Sequence, residues 1–330
     1  MKHLIFIVFL LLGTQIAQTA QARCSGIDYR DHLGDSWDTA LQDRVSKVPF
    51  AYGNHWVATK GDKQINVIGT MHGGDRRMGR IMRGLRPVVE QADAILFEVT
   101  RRDLTNLDEQ FKNHADLMLL PRGQRLESYI SAESWEMLVR LAAHLGMKPA
   151  NLNRMQPWAA SFFLIWDGCQ SLGLVTGKGL DDRLERHARK HRVPIGSLEI
   201  PTTGFKALSR IGLRDQARML EFELQMFLTE KPDNATPVEA YFDEAVWEAM
   251  LMNRLLMYSY LDAPRAEIDR QWDLFERYML DERNKLWMEP MLAAKGNRIV
   301  VAVGAAHLPG QHGVLNLLKQ RGYTLERAEW

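Results

Sequence analysis

Short apolar runs alternate with longer stretches of helical periodicity along this chain. Residues 26–49 carry Trp37, Leu41 and Val45 at helical spacing. "HWVATKGDKQINVIGTMH" reads as a hairpin: Trp56–Thr59, a Gly61-Asp62 turn, then Gln64–Gly69. A helix is predicted from about Met78 to Gln91, interrupted or kinked by Pro87. "AILFEV" (Ala94–Val99) is a nearly unbroken apolar run, the pattern of a strand covered on both faces. From Asp103 to Gly173 the pattern is helical, with loops near Pro121 and Pro149. Gly179–Arg192 reads as a helix with Asp181 placed to cap it and a basic last turn that suits the dipole. "VPIGSLEI" (Val193–Ile200) is a strand candidate, and Pro201 with the threonines after it opens further helices that run to about Lys295. "NRIVVAVG" is a strand, "QHGVLNLLKQRG" a helix closed by Gly322, and "YTLERA" a last strand.

Short strands alternating with helices predict an α/β core. The long helical middle predicts a cap inserted between the N-terminal and C-terminal halves of one sheet. With no repeat or low-complexity linker, residues 23–330 read as one domain.

The ends of the apolar runs carry the chemistry. "INVIGTMH" (Ile65–His72) and "VVAVGAAH" (Val300–His307) both end in Gly-x-x-His, "AILFEV" delivers Glu98, and "PIGSLEI" delivers Glu199. If these strands are parallel, their ends share the sheet edge where α/β proteins bind ligands. Two imidazoles with one or two carboxylates suit a divalent metal. Each residue alone also has a plainer reading, as a hydrogen-bonded histidine or a paired carboxylate. Glu98 is the most telling, because a carboxylate inside such a run must pair with a cation, sit at the rim or work. His114, His144, His187, His191 and His312 stand mostly beside basic residues and read as solvated faces, while His55 begins a strand that could approach the site.

The N-terminus changes the picture of where the protein works. Lys2, the apolar "LIFIVFLLL" and Ala20-Gln21-Ala22 form a leader over residues 1–22, with cleavage after Ala22. A periplasmic or secreted protein is expected, with no stable membrane insertion after cleavage. The later apolar patch "WAASFFLIW" is broken by Asp167. Cys24 and Cys169 are the two cysteines, expected as a disulfide in an oxidising compartment or, otherwise, as two unpaired thiols. Charge is nearly balanced, 42 Lys+Arg against 41 Asp+Glu, so nothing marks a nucleic-acid partner. The 16 Met and nine Trp read as core packing. No zincin motif, nucleophile elbow, P-loop or dinucleotide fingerprint is present.

"INVIGTMH", "ADAILFEV", "GLDDRLERHARKHRVPIGSLEI", "LDERNKLWMEPML" and "VVAVGAAHLPGQHGVLNLLKQRGYTLERA" occur in an order and spacing that resemble the TraB/GumN family. That family includes the animal Tiki metalloproteases. The resemblance implies a central mixed sheet with surrounding helices and a large helical insertion, related to erythromycin-esterase-like and ChaN-like folds. It implies a metal site at His72, Glu98 and His307, with manganese or cobalt preferred and zinc the other candidate. Arg283, in the family's Arg-Asn pair, is implied to orient a carboxylate or an oxyanion. The expected function is an exported metal-dependent hydrolase, most readily a peptidase, with Glu98 or Glu199 as general base. The rival is a non-catalytic periplasmic binding protein for a peptide, a signal molecule or haem. A third reading has the strand-end groups as a purely structural polar network. The expected partner is thus a peptide or small-molecule ligand, and no oligomeric state is implied.

Overall fold

The computed structural model describes residues 27–32, 34–105, 114–165, 179–229 and 235–330. The leader, both cysteines and Asp167 therefore lie outside the described residues. The strands are β1 (His55–Lys60), β2 (Lys63–Thr70), β3 (Ala94–Phe97), β4 (Ile195–Ser197), β5 (Arg298–Gly304) and β6 (Thr324–Arg327). They form one sheet in the order β4-β3-β5-β2-β1-β6. Strands β4, β3, β5 and β2 run parallel, and β1 runs antiparallel to both β2 and β6. The mixed sheet with surrounding helices is the architecture expected.

Alternation explains the central strand. Ile299, Val301 and Val303 of β5 enter one apolar cluster, whereas Val300 and Ala302 enter another on the opposite face. A strand buried on both sides needs an unbroken apolar run, which is what Ile299–Val303 supplies. Each buried valine or isoleucine of this run contributes about 1.5–3 kcal/mol of burial.

The principal helices are α1 (Asp35–Val45), α2 (Met78–Glu90), α3 (Ala132–His144), α4 (Pro157–Leu164), α5 (Leu180–Lys190), α6 (Leu213–Thr229), α7 (Val246–Tyr260), α8 (Arg265–Phe275), α9 (Glu282–Ala293) and α10 (Val314–Gln320). On one face of the sheet α2 packs Met78, Ile81, Leu85 and Val89 beside Leu180, Leu184 and Ala188 of α5. On the other, Trp287, Met288 and Met291 of α9 pack with Val314, Leu315 and Leu318 of α10. Helices α3, α4 and α6 share a cluster away from the sheet, built around Leu138, Trp158, Leu220 and Leu224. Leu41 and Val45 of α1 pack on Trp247, Leu251 and Leu255 of α7. Among the described residues no helix is long and apolar enough to cross a membrane.

Two local expectations change. Helix α2 runs through Pro87 without a break. Asp181 does not cap α5: the N-cap is Gly179, in extended conformation, and it makes no side-chain cap bond. A Cβ at Gly179 would stand 2.5 Å from the His72 carbonyl oxygen, so the close approach of this turn to the His72 loop demands glycine. Asp181 faces that loop instead. One feature has no clear sequence signal: between α8 and α9 the helix widens to a π-turn over Glu276–Asp281.

Candidate active site

Parallel pairing places the strand ends side by side. Beyond β3 and β4 the ladder continues, with Leu198 N–H donating to Phe97 O at 2.8 Å and Glu199 N–H to Glu98 O at 3.1 Å. Glu98 and Glu199 are thereby neighbours at one edge. Strand β5 ends beside them, and Gly304 N–H donates to Glu98 Oε1 at 2.7 Å. A Cβ on Gly304 would lie 3.2 Å from that oxygen, which favours glycine at this approach.

Arg283 on α9 joins the two carboxylates. Its Nη2 donates to Glu98 Oε2 and to Glu199 Oε1, each at 2.7 Å, and Nε donates to Glu199 Oε2 at 3.1 Å. Nη1 is held by Met279 O at 3.1 Å, a carbonyl of the π-turn. Such turns recur at functional sites because they re-aim side chains. Trp287, one turn beyond Arg283, donates Nε1–H to Glu199 Oε2 at 2.8 Å. All three charged side chains are largely enclosed: 9% exposed for Arg283, 18% for Glu98 and 7% for Glu199.

His307 is buried next to this group and has one tautomer that fits. Asn284 Nδ2 donates to the carbonyls of His307 and His312, at 3.3 and 3.0 Å, which turns Asn284 Oδ1 toward His307. Nδ1 of His307 lies 2.7 Å from that oxygen and so carries the proton. Nε2 is left with its lone pair, 3.3 Å from Arg283 Nη1 and 3.9 Å from Glu98 Oε1. The ring also packs on Trp287, with centroids 4.5 Å apart. Burial, with the positive charges of Arg283 and His72, outweighs Glu98 and pushes the His307 imidazolium down to about 3. The ring is neutral at ordinary pH.

The carboxylates are driven apart. Burial would raise Glu98, but Arg283, His307 and His72 outweigh it and hold it at about 2. Glu199 moves the other way: burial raises it, helped by the charge on Glu98, in spite of Arg283 and Trp287. Glu98 is thus a fixed anion, and Glu199 is the group better able to carry a proton.

His72 sits at the same edge but with a different partner. Nδ1 lies 3.3 Å from Asp181 Oδ2. Burial would depress His72, but the Asp181 bond and the charges of Asp181, Glu98 and Asp182 lift it to about 9. The ring keeps 40% of its surface, so solvent moderates this shift. Asp181 Oδ1 and Thr70 Oγ1, both beside this loop, are buried with no hydrogen-bond partner.

Four of the predicted site residues, Glu98, Glu199, Arg283 and His307, therefore form one hydrogen-bonded group. His72 faces it across the edge and is coupled to it by charge. The donor types, two imidazoles with Glu98 and Asp181 and an orphaned buried carboxylate oxygen, are those that a divalent ion takes, but the His307 Nε2 lone pair is met here by Arg283 Nη1. Among the described residues, however, the His/carboxylate group whose ligand atoms lie within 4.8 Å of one another is a different one, Glu90–His187–His191.

Other expectations are corrected. His55 turns from the site to Glu329 O at 2.9 Å and stacks on Trp330. His187 is no solvated face: it is 12% exposed and lies 2.9 Å from Glu90. His114 lines a cleft of about 600 Å³ with Asp103, Ser197, Glu199 and Ile200. That volume suits a small ligand or a few residues of peptide. The sequence alone does not mark Asp181 or Asn284 as site residues: Asp181 reads as an ordinary helix-start acid, and Asn284 stands only as the companion of Arg283.

Comparison with known proteins covers the same stretch. A family model described as the TraB/PrgY/gumN family matches residues 54–327, a span that contains every residue of this group. Two curated relatives, each named uncharacterized protein YbaP, come from Escherichia coli (strain K12) and Shigella flexneri. Each is 27% identical to this chain over 282 residues, covering 81% of this chain and 94% of its own length.

Proposed function

The chain belongs to the TraB/PrgY/gumN family, and we propose that it is an exported, divalent-metal-dependent hydrolase that cleaves peptide bonds. The observation that carries this reading is the convergence of His307, Glu98, Glu199 and Arg283 on one parallel-strand edge, with His72 and the unpartnered Asp181 oxygen beside them. His72, His307 and Glu98 would hold the ion, with Asp181 at hand as a further carboxylate. When bound, the ion lowers the pKa of a water and polarises a carbonyl.

The protein's own groups do the rest. Asn284 fixes the His307 tautomer and keeps its Nε2 lone pair facing the site. Glu199, raised by burial, takes a proton from the attacking water and returns it to the leaving amine. Arg283, once its fork on the carboxylates opens, would set its buried positive charge against the negative charge that develops on the carbonyl oxygen. The cleft beside Glu199 receives the chain to be cut. The leader at residues 1–22 supports work outside the cytoplasm.

One observation favours the rival reading of a binding protein. Arg283 engages both carboxylates, so neither is free while that fork stays closed. The test is a peptide-library cleavage screen on purified protein, chelated and then supplied with Mn²⁺, beside an ultraviolet–visible haem titration. Cleavage that disappears on chelation, returns with Mn²⁺ and is lost in Glu199→Gln supports the hydrolase. A Soret shift with no cleavage at any metal concentration replaces it with the binder. Cleavage indifferent to chelation removes the metal from the reading.

A further inference from the structure

The edge of the sheet opposite the candidate active site carries a second constellation. Helices α2 and α5 return antiparallel to the strands, so their C-terminal ends lie where β3 and β4 begin. Glu90 is the last residue of α2, His187 lies in the last turn of α5, and His191 is its C-cap. An i, i+4 spacing on a helix puts both imidazoles on one face. Their ring centroids are 4.4 Å apart. Both Nε2 atoms point at one oxygen, Glu90 Oε1, from 2.9 Å for His187 and 3.6 Å for His191.

We propose that Glu90, His187 and His191 form a second cation site, which takes one borderline divalent transition ion of the zinc type and ties the C-terminal ends of α2 and α5 together. Imidazole with one carboxylate selects such ions over calcium or magnesium. Tetrahedral bonds of about 2.0–2.1 Å put ligand atoms roughly 3.3 Å apart. The three donor atoms already lie within 4.8 Å of one another, so small side-chain rotations suffice. When the ion takes His187 Nε2, the proton between that nitrogen and Glu90 moves to Nδ1 of the same ring or leaves to solvent, and both nitrogen ligands are then neutral.

The frame is rigid. Arg192 adopts φ 58, in the left-handed region, and Val193 N–H donates to Ala188 O at 3.0 Å, which closes α5 in a Schellman turn with arginine where glycine is usual. That turn fixes His191 at the helix end. Two helix C-termini converge there, and their carbonyl ends favour a cation. Arg86 acts on His187 as an opposing charge, and Lys190 and Arg192 flank His191 in sequence, so the helix ends alone do not suffice and the carboxylate is required. His187 and His191 are 12% and 36% exposed, which leaves room for water as a fourth ligand.

This site is independent of the proposed hydrolase site, and its test separates the two. Zn²⁺ equivalents are measured by equilibrium dialysis on the full chain, with wild type, His191→Ala and Glu90→Gln in parallel. Both positions are partly exposed, and metal-free melting confirms that the variants are folded. We expect each variant to bind one fewer equivalent than wild type, or to bind it at least about tenfold more weakly, since loss of a ligand exceeds a second-sphere change. Zn²⁺ should raise the melting temperature of wild type by more than that of either variant. Any metal-dependent cleavage should survive in both variants. Equal stoichiometry and equal affinity in wild type and His191→Ala would overturn the proposal, whatever the cleavage assay returns.

Discussion

Replacing Arg283 with methionine removes a positive side chain bonded to both Glu98 and Glu199. The aliphatic volume is roughly kept, so the perturbation is mainly of charge. At an effective dielectric near 20, a unit pair about 4 Å apart interacts by about 4 kcal/mol. Two such pairs are lost here, and the two carboxylates then repel each other. Protonation of one of them limits the damage, and breaking a buried pair typically costs about 3–5 kcal/mol. The pH dependence gives the sign. In wild type the depressed Glu98 contributes stability above its unfolded value of about 4.3, and this is lost as pH falls through about 2. Without Arg283, Glu98 rises and Glu199, already raised, rises further. A raised carboxylate stabilises the fold below its unfolded pKa, and that stability is lost as pH rises. The penalty in the variant should therefore be about 3–5 kcal/mol at pH 8 and shrink toward pH 4.5. Urea unfolding of both proteins across that range measures it. Adding Glu199→Gln should recover part of the loss at pH 8, because the two sites are directly coupled. A deficit under about 1 kcal/mol, or one that is flat with pH, would refute the idea that Arg283 neutralises a buried carboxylate pair.

Glu223 on α6 offers a second pH test. Burial pushes it up to about 7, against the lowering effect of its hydrogen bond from Ser161. Its stabilising share is full below about 4.3 and is lost as pH rises to 7, so Glu223→Gln should be roughly 1–2 kcal/mol more stable than wild type at pH 8. The two should converge below pH 4.5, and equal melting temperatures at pH 8 would contradict the burial argument. Gly179→Ala sets a Cβ against the Met71 and His72 carbonyls, at 2.6 and 2.5 Å. We expect a cost of about 1–3 kcal/mol by overpacking, against no loss for Gly79→Ala, which meets open space inside helix α2, where alanine is favoured over glycine by about 1 kcal/mol. Equal costs, read from denaturant midpoints, would mean that the turn before α5 relaxes freely.

The strand ends were legible in the sequence because an unbroken apolar run such as Ile299–Val303 has few alternatives to a doubly covered strand. Its last polar residue then has to fall at the rim. Glu98 and Glu199 followed from that logic, as did the mixed α/β sheet. Arg283 was reached only through family resemblance, because an arginine in a charged helix looks solvated until its neighbours are known. The π-turn that helps aim it leaves no periodicity signal over six residues. Asp181 looked like a cap because acids at helix starts usually favour the dipole; its contact with His72 depends on how α5 docks. The His187-x-x-x-His191 spacing was visible, but its third member, Glu90, lies on another helix, and only tertiary packing brings it there.

The insertion of β5 between β2 and β3 bears on how the chain is born. Strand β5 begins at Arg298, more than two hundred residues after β2 ends at Thr70. At roughly 5–20 residues per second, a ribosome needs about 10–45 s to cover that interval. During that time β2 and β3 have emerged but lack the strand that lies between them in the finished sheet. Their apolar edges stay open, and the hairpin of β1 and β2 can wait but cannot dock. Vectorial, strand-by-strand assembly is therefore closed to this protein. A chaperone that shields residues 63–97 during synthesis should raise the yield of native protein more than one that acts after release.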